Sequence, residues 1–237
     1  MDYLDYTHPL PEMNLAIDEA LLTLVDDGAA APVLRFWESP SYFIVMGYSS
    51  PSQHDVHVAA CQADGLAILR RCSGGGTVIQ GPGCLNYALI DTSDDPLDLP
   101  STTATIQKRL SHALLPLVIT PHGLSDLLFE NKKCIGNAER RKKRAFLYHG
   151  SILYQFDSRL MAQYLSIPLK QPAYRAGRSH LDFVTNLPMA APAIKHKLRT
   201  EFNCSQTAFP PLGLSACLLA AERLMSKYRD PSFIYRA

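Results

Sequence analysis

The clearest chemical signal in the chain is the stretch Arg70-Arg71-Cys72-Ser73-Gly74-Gly75-Gly76-Thr77-Val78-Ile79-Gln80-Gly81-Pro82-Gly83-Cys84-Leu85-Asn86-Tyr87. Three successive glycines carry no Cβ, so they reach positive φ and let backbone come close to a ligand. Their bare N–H groups can form an anion-binding concavity. The neighbouring arginines can hold a carboxylate or phosphate through paired hydrogen bonds. The stretch therefore reads as a site for an acidic small molecule, or as a glycine-rich turn that only turns. A glycine run by itself does not separate the two. Two charged stretches lie further on. Glu139-Arg140-Arg141-Lys142-Lys143-Arg144 packs five cations into six positions. Such a run is usually a solvated loop, but it joins two expected strands and could overhang whatever they line. Asp94, Asp95 and Asp98 share a proline-bearing loop. They lack ordered ligand spacing, so the loop reads as solvated and metal ligands stay unassigned.

These residues need elements to position them. Leu66–Leu69 and Tyr87–Ile90 flank the glycine run, giving strand, loop, short strand, turn, strand. Residues 10 to 28 read as the first helix. Pro11 and Glu12 open it, Asp18 and Glu19 sit on its polar side, and Leu15, Leu21, Leu22 and Val25 recur at helical spacing up to Gly28. Strands are expected over 33–37 and 42–46, with Ser39-Pro40-Ser41 as the turn between them. Residues 53 to 63 read as one short helix. Ser101 and Thr102 are N-cap candidates for a helix reaching Leu115. Leu124 to Glu130 reads as a strand, Asn131-Lys132 as a turn, and Lys133 to Ala138 as the start of the next strand or loop. Phe146 to Phe156 reads as a strand interrupted at His149-Gly150. A short helix over 158–165, a proline-pinned loop over 168–175, and two closing helices over 189–201 and 212–228 complete the chain. Strands come in adjacent pairs with few helices between them, which predicts an α+β fold with mixed, mostly antiparallel sheets.

Composition sets outer bounds. A chain of 237 residues, 47% hydrophobic and 19% charged, suits a single catalytic-size domain over 1–237, with the helices from 189 on part of it. A formal net charge of +1 gives no global attraction to nucleic acid or membrane. No apolar run approaches the roughly 18–20 residues of a membrane span. The start, Met1-Asp2-Tyr3-Leu4-Asp5, lacks the basic region of a secretory signal. Six cysteines, at 61, 72, 84, 134, 204 and 217, show neither Cys-x-x-Cys pairs nor zinc spacing. They read as free thiols in a reducing cytoplasm.

Several segments, in order, resemble lipoate–protein ligases. Arg70 to Val78 is similar to the family's Arg-Arg-x-Ser-Gly-Gly-Gly-x-Val loop, and Gly83 to Tyr87 resembles its next segment. Gly123-Leu124-Ser125-Asp126-Leu127 resembles its Gly-x-Asn-Asp-Leu element. Lys133-Cys134-Ile135-Gly136-Asn137-Ala138 resembles its Lys-hydrophobic-small-Gly-Ser-Ala element. Tyr148-His149-Gly150-Ser151-Ile152-Leu153 resembles its His-His-Gly-Thr-Leu-Leu strand. Asn14 to Leu22 is similar to its opening helix, and Val184 to Leu187 to a short downstream element. The resemblance implies the biotin/lipoate ligase-type catalytic fold and a two-step reaction. Lipoate or octanoate attacks the α-phosphate of ATP with Mg2+, giving an acyl-adenylate; a lysine of a small lipoyl carrier domain then takes the acyl group and releases AMP. The implied carriers are of the glycine-cleavage H-protein type or the 2-oxoacid dehydrogenase E2 type.

On this resemblance Lys133 is the catalytic candidate, its ammonium stabilising negative charge on phosphate or carbonyl oxygen. Lys132 is the rival register. The implied adenylate-binding surface comprises Arg71, Ser73, Gly74, Gly75, Gly76, Thr77, Val78, Asn86, Asp126, Gly136, Asn137, Ala138, His149 and Gly150. Within it, Arg71 and the amides of Gly74 to Thr77 suit the acyl phosphate. Asp126 orients Lys133 or the nucleotide, or caps a strand. Asn86 satisfies loop backbone, and His149 shapes the pocket. The basic run would cap the adenylate or dock an acidic carrier.

Two departures stand out. Ile79-Gln80-Gly81-Pro82 replaces the family's histidine-aspartate, which leaves contacts there unassigned. Only 53 residues follow Val184, too few for the accessory domain of full-size ligases. The chain thus reads as a minimal ligase or as half of a split ligase needing a small accessory subunit. The rival activity, octanoyl transfer from acyl carrier protein, needs a thiolate facing the pocket. Neither 119–127 nor 172–174 contains a cysteine. Cys72 and Cys134 alternate with ligand-facing positions and should face the core, leaving Cys84 as the thiol able to approach. A non-catalytic lipoyl-binding subunit is opposed by the presence of Lys133, Arg71 and the glycine loop. The biotin branch is opposed by the lack of a Gly-Arg-Gly-Arg-like loop.

Overall fold

Alternating apolar residues along three long strands build the centre of the molecule. The computed structural model describes residues 1–50, 52–93, 99–168, 171–205 and 211–236. From the N-terminus come β1 (Asp2–Asp5), α1 (Pro11–Asp26), β2 (Val33–Trp37) and β3 (Phe43–Met46), then α2 (Ser52–Asp55), α3 (Val58–Ala63) and β4 (Ala67–Arg70). After the glycine loop follow β5 (Val78–Gln80), β6 (Cys84–Thr92), α4 (Leu99–Ala113), β7 (Ile119–His122), β8 (Asp126–Phe129), β9 (Lys132–Arg141) and β10 (Ala145–Leu153). The chain continues with α5 (Arg159–Tyr164), a 3-10 turn (Ala173–Arg175), α6 (His180–Phe183), α7 (Ala191–Glu201), α8 (Pro211–Arg229) and α9 (Pro231–Ile234).

Seven strands form one sheet in the order β1-β2-β6-β10-β9-β8-β7, and three form a second in the order β4-β3-β5. The ladders β1–β2 and β3–β4 are parallel; the others are antiparallel. This is the expected α+β architecture. Period-two alternation divides the large sheet between two cores. Val33, Trp37, Ala88 and Ile90 face α1 and the small sheet. Leu34, Phe36, Leu85, Tyr87 and Leu89 face Ile106 and Leu110 of α4 and Ile194 and Leu198 of α7.

Several expectations are corrected. Asp18 is not on a solvated side of α1: it is buried against Arg35 of β2, 2.5 Å from its Nη1. Glu19 faces α8, accepting from Lys227 Nζ and Tyr228 Oη at 2.7 Å. The polar side of α1 is thus two protein contacts, which helical spacing cannot distinguish from a wet face. β10 runs unbroken through His149-Gly150. Glycine is required there because a Cβ on Gly150 would lie 2.0 Å from Asn137 Oδ1. Helix α4 is described from Leu99, so Ser101 and Thr102 lie within its described span. The helix expected over 53–63 is divided in two where Val56 bridges Leu165 and His57 N–H donates to Tyr164 O. The turn before β9 is Glu130-Asn131, both at positive φ, so Lys132 already belongs to the strand. β1 and β7 add two edge strands that local pattern did not suggest. Asp94, Asp95 and Asp98, and Leu169 and Lys170 of the proline loop, lie outside the described residues. Among those described, no helix is long and apolar enough to cross a membrane.

Candidate active site

A cavity of about 710 Å3 lies between the two sheets. Its floor follows from strand register. Trp37 pairs with Asn86, Asn86 with Ser151, Ser151 with Gly136, and Gly136 with Asp126. Laterally paired residues share a face of the sheet, and all five line the cavity. Four strand spacings separate the ends, roughly 19 Å. Val78, Ile79 and Gln80 of β5 form the opposite side, and Leu15, Leu153, Met161, Leu165 and Phe183 make much of the wall apolar.

Lys133 closes the Asp126 end. Its Nζ is 2.8 Å from Asp126 Oδ1, with the two side chains 26% and 16% exposed. Asp126 Oδ2 accepts from Tyr174 Oη at 2.5 Å. Burial, followed by that bond, pushes the Tyr174 phenol far above its ordinary range, so it stays a donor. Glycine at 136 makes room for the amine, since a Cβ there would lie 2.7 Å from Lys133 Cε. The Lys133 carbonyl accepts from Thr185 N–H at 2.9 Å, which ties its backbone to the downstream segment. Lys132 does not line the cavity. Of the alternatives for Asp126, orienting Lys133 is the contact observed.

The glycine loop forms another wall, and Arg71 departs from expectation. Its Nε donates to Ser73 Oγ at 3.1 Å, its Nη2 to Gly74 O and Gly76 O at 2.5 and 2.9 Å, and its Nη1 to Val45 O at 3.4 Å. Four of the five guanidinium N–H groups are spent on the protein. Arg71 thus braces the loop while still lining the cavity. Burial lowers it to about 10, so it stays cationic at neutral pH. Ser73 Oγ also lies 2.5 Å from His149 Nε2, whose Nδ1 is 3.5 Å from Asp18 Oδ2. This Ser–His–Asp order matches nucleophile sets of acyl transfer, but Ser73 is fully buried and already engaged with Arg71. Ser73 and Gly74 are absent from the cavity wall, whereas Gly75, Gly76, Thr77 and Val78 line it. Thr77 Oγ1 donates to Asp55 Oδ2 at 3.0 Å.

Asn86, Asn137, Ala138, His149 and Gly150 all reach the cavity. Asn86 Nδ2 touches Cys84 O at 3.4 Å, and its Oδ1 accepts from Ser151 Oγ at 2.8 Å. Asn137 donates to Ser125 O and accepts from Tyr87 Oη, both at 2.6 Å. The basic run does not line the cavity. Lys142 donates to Thr23 Oγ1 at 2.9 Å, Arg144 is bonded to Asp26, and Arg141 pairs with Glu139 at 2.5 Å. Lys142 and Arg144 thus fold onto the end of α1, while the Arg140 guanidinium lies 5.4 Å from the Tyr48 ring, next to the glycine loop. Cys84 is fully buried and outside the cavity wall, and burial raises its thiol to about 12. Cys134 edges the cavity, but its thiol donates to Leu127 O at 3.3 Å and burial likewise raises it to about 12.

Sequence reasoning missed Gly47, where a Cβ would lie 1.8 Å from Gly75 O. It also missed Arg35, Tyr174, Trp37 and Ser151 as site-building residues. The glycine ending β3 was the available signal for the first. The others are recognisable only once strands are paired.

A two-sheet catalytic fold holding an apolar cavity with a lysine–carboxylate pair at one end defines the class. The chain belongs to the lipoyl protein ligase A/B catalytic domain family, whose model matches residues 10–201. It is 28% identical to octanoyltransferase LipM of Brevibacillus brevis over 70% of each chain. It is 30% identical to a probable lipoate-protein ligase A of Mycoplasma pneumoniae, over 67% of this chain and 47% of that protein, so it spans about half the ligase's length. In structure it is similar to the bi-partite lipoate protein ligase of Thermoplasma acidophilum, with a TM-score of 0.84 and 23% identity over 99% of this chain and 95% of that one. That likeness is one of fold. Membership makes the chain an enzyme of the lipoate ligase and octanoyltransferase family.

Proposed function

We propose that this chain is an ATP-dependent, AMP-forming ligase that activates lipoate or octanoate and transfers it to a lysine of a small lipoyl carrier domain. The observation that carries this reading is Lys133, its amine held by Asp126 at one end of a largely apolar cavity whose edging thiol, Cys134, is buried and bonded to Leu127 O. The acyl tail would lie along the floor toward Trp37, leaving the carboxylate beside Lys133. The glycine loop reaches β9 at Ala138, whose Cβ is 3.7 Å from the Cβ position of Gly75. Loop amides and the lysine thus border the same end. A carboxylate oxygen attacks the α-phosphorus and pyrophosphate departs. The carrier amine then attacks the carbonyl, AMP leaves with the electrons of the anhydride bond, and the amine proton is released. The Lys133 ammonium stabilises the charge developing on phosphate and carbonyl oxygens. Among the described residues no group of three or more His, Cys, Asp or Glu is arranged to hold a metal, so Mg2+ would arrive on the nucleotide phosphates. The setting would be the cytoplasm.

Octanoyl transfer is the second reading, favoured by the LipM relative. The buried thiols argue against it, because a thioester route needs an accessible thiolate. The Thermoplasma ligase is bi-partite and has an E2 lipoyl domain as its partner, which supports a separate accessory subunit and a carrier of that type for this chain. α8, anchored on α1 through Glu19, would belong to the catalytic unit. The test incubates the purified chain with lipoate, Mg-ATP and an apo-carrier, then weighs the carrier. A mass gain dependent on ATP supports the ligase. A gain only with octanoyl-acyl carrier protein selects the transferase. A gain only after adding cell extract reveals the missing subunit.

A further inference from the structure

Most of the basic run between β9 and β10 is engaged with protein. Arg141 pairs with Glu139, Lys142 is bonded to Thr23, and Arg144 to Asp26. Arg140 differs. Among the described residues it enters no ion pair, and its guanidinium lies 5.4 Å from the centre of the Tyr48 ring. Arg236 reaches the same ring at 3.9 Å, so two cations converge on one side chain. Lys227 is a third positive charge nearby, but Glu19 offsets it at 2.7 Å. The bond from Arg236, with Arg140 and Lys227 beyond it, holds the Tyr48 phenol below its ordinary range.

The pair is held in place from behind. Arg70 is fully buried; its Nη2 donates to Arg236 O at 3.2 Å and its Nε to Ile234 O at 2.9 Å. Its Nη1 donates to Gly47 O, Tyr48 O and Ser50 O at 2.6, 3.1 and 2.9 Å. Tyr48 N–H in turn donates to Ser73 O at 2.8 Å, and Ser50 Oγ to Gly75 O at 3.0 Å. One guanidinium therefore ties Arg236, Tyr48 and the back of the glycine loop together. β9 places the other member. Positions 136, 138 and 140 follow at two-residue steps, so they share a face of the strand. Gly136 borders the Lys133 side chain and Ala138 borders Gly75. Arg140 stands one step further on, about 13 Å from Gly136.

A line from Lys133 along the glycine loop thus ends at two cations that lack an anionic partner among the described residues. In the reaction proposed above, a carboxylate oxygen bonds to the α-phosphorus, and the bridging oxygen leaves with the electron pair of the broken P–O bond. The leaving group carries that new charge. We propose that Arg140 and Arg236, gathered at Tyr48, form a subsite for the departing pyrophosphate. Each guanidinium presents a planar fork to phosphate oxygens, and an anion of two linked phosphates can engage both forks at once. The subsite rests on the ligase reading and adds to it the place where the β- and γ-phosphates are held. A transferase that uses no nucleotide has no occupant for it.

The test titrates sodium pyrophosphate, and separately inorganic phosphate, into the purified chain by calorimetry, without acid or carrier. Wild type should bind pyrophosphate about tenfold tighter than phosphate, which fills one fork only. That comparison needs no variant to fold. Arg140→Gln and Arg236→Gln should each raise the pyrophosphate Kd about tenfold with the unfolding midpoint unchanged, and should raise the KM for Mg-ATP in carrier acylation by a similar factor. The KM for carrier, measured from preformed acyl-adenylate, should keep its wild-type value. Equal binding of the two anions, or an unchanged pyrophosphate Kd in both variants, would overturn the subsite. A raised KM for carrier with pyrophosphate binding unchanged would overturn it too and give the two arginines to the carrier. A chain that binds pyrophosphate as expected yet never acylates carrier from ATP, with or without cell extract, would support the anion site and sink the ligase reading.

Discussion

The two polar walls of the cavity are built to opposite standards. Behind the glycine loop, Arg35, Asp18, His149, Ser73 and Arg71 form a largely buried string, and Arg71 spends four of its five N–H groups on protein oxygens. On the β9 side, Lys133 keeps partial exposure and pairs with one carboxylate, which leaves donors in hand. The difference separates shape from chemistry. A group that fixes a loop is desolvated and saturated; the group proposed to meet developing charge is held by one partner and left reachable.

That contrast can be broken from either side. The largest effect is expected from Arg35→Met, which removes the guanidinium from buried Asp18 and leaves it His149, and should cost about 3–5 kcal/mol of stability, measured by denaturant unfolding. Lys133→Ala should do the reverse. Carrier acylation should fall about a hundred- to thousandfold with the unfolding midpoint unchanged; retained turnover would remove Lys133 from the chemistry. Gly136→Ala places a methyl where the Lys133 side chain runs, so activity should drop about tenfold with little change in stability.

Acid sharpens the comparison further. Burial pushes Asp18 up, but the Arg35 guanidinium and then His149 outweigh it, and the carboxyl ends below its ordinary range. A depressed carboxyl stabilises the fold above its unfolded pKa, about 4. That stability is lost as pH falls through the lower folded value. Unfolding followed from pH 6 to 2 should therefore show this contribution disappearing below about 4 in the wild type, and it should be smaller in Arg35→Met, where His149 is left to Asp18. The smallest effect is expected from Lys142→Glu: under about 1 kcal/mol of stability and an unchanged KM for carrier. A raised KM would return the basic run to a docking role.

Much of the reaction end was legible in the sequence. Lys133, Gly136, Asp126 and the glycine run sit in short local patterns, and short patterns survive folding. What was illegible depends on pairing. Asp18 looks solvated on a helix wheel because its partner lies on β2. Trp37 looks like core because its face is defined only when Asn86 lies beside it. Arg71's bonds to the loop carbonyls were not foreseen, since a guanidinium beside glycines fits a ligand and a loop carbonyl equally well. β1 and β7 went unseen because edge strands owe their form to a neighbour.

The floor row carries a last consequence. Trp37, Asn86, Ser151, Gly136 and Asp126 come from five different strands and meet only through register. A slip of one residue in any ladder would turn the displaced side chains to the opposite face. The molecule therefore has no half-built site. Acyl transfer would appear only when the sheet is completely assembled, which makes activity a readout of folding as sensitive as any spectroscopic probe of secondary structure.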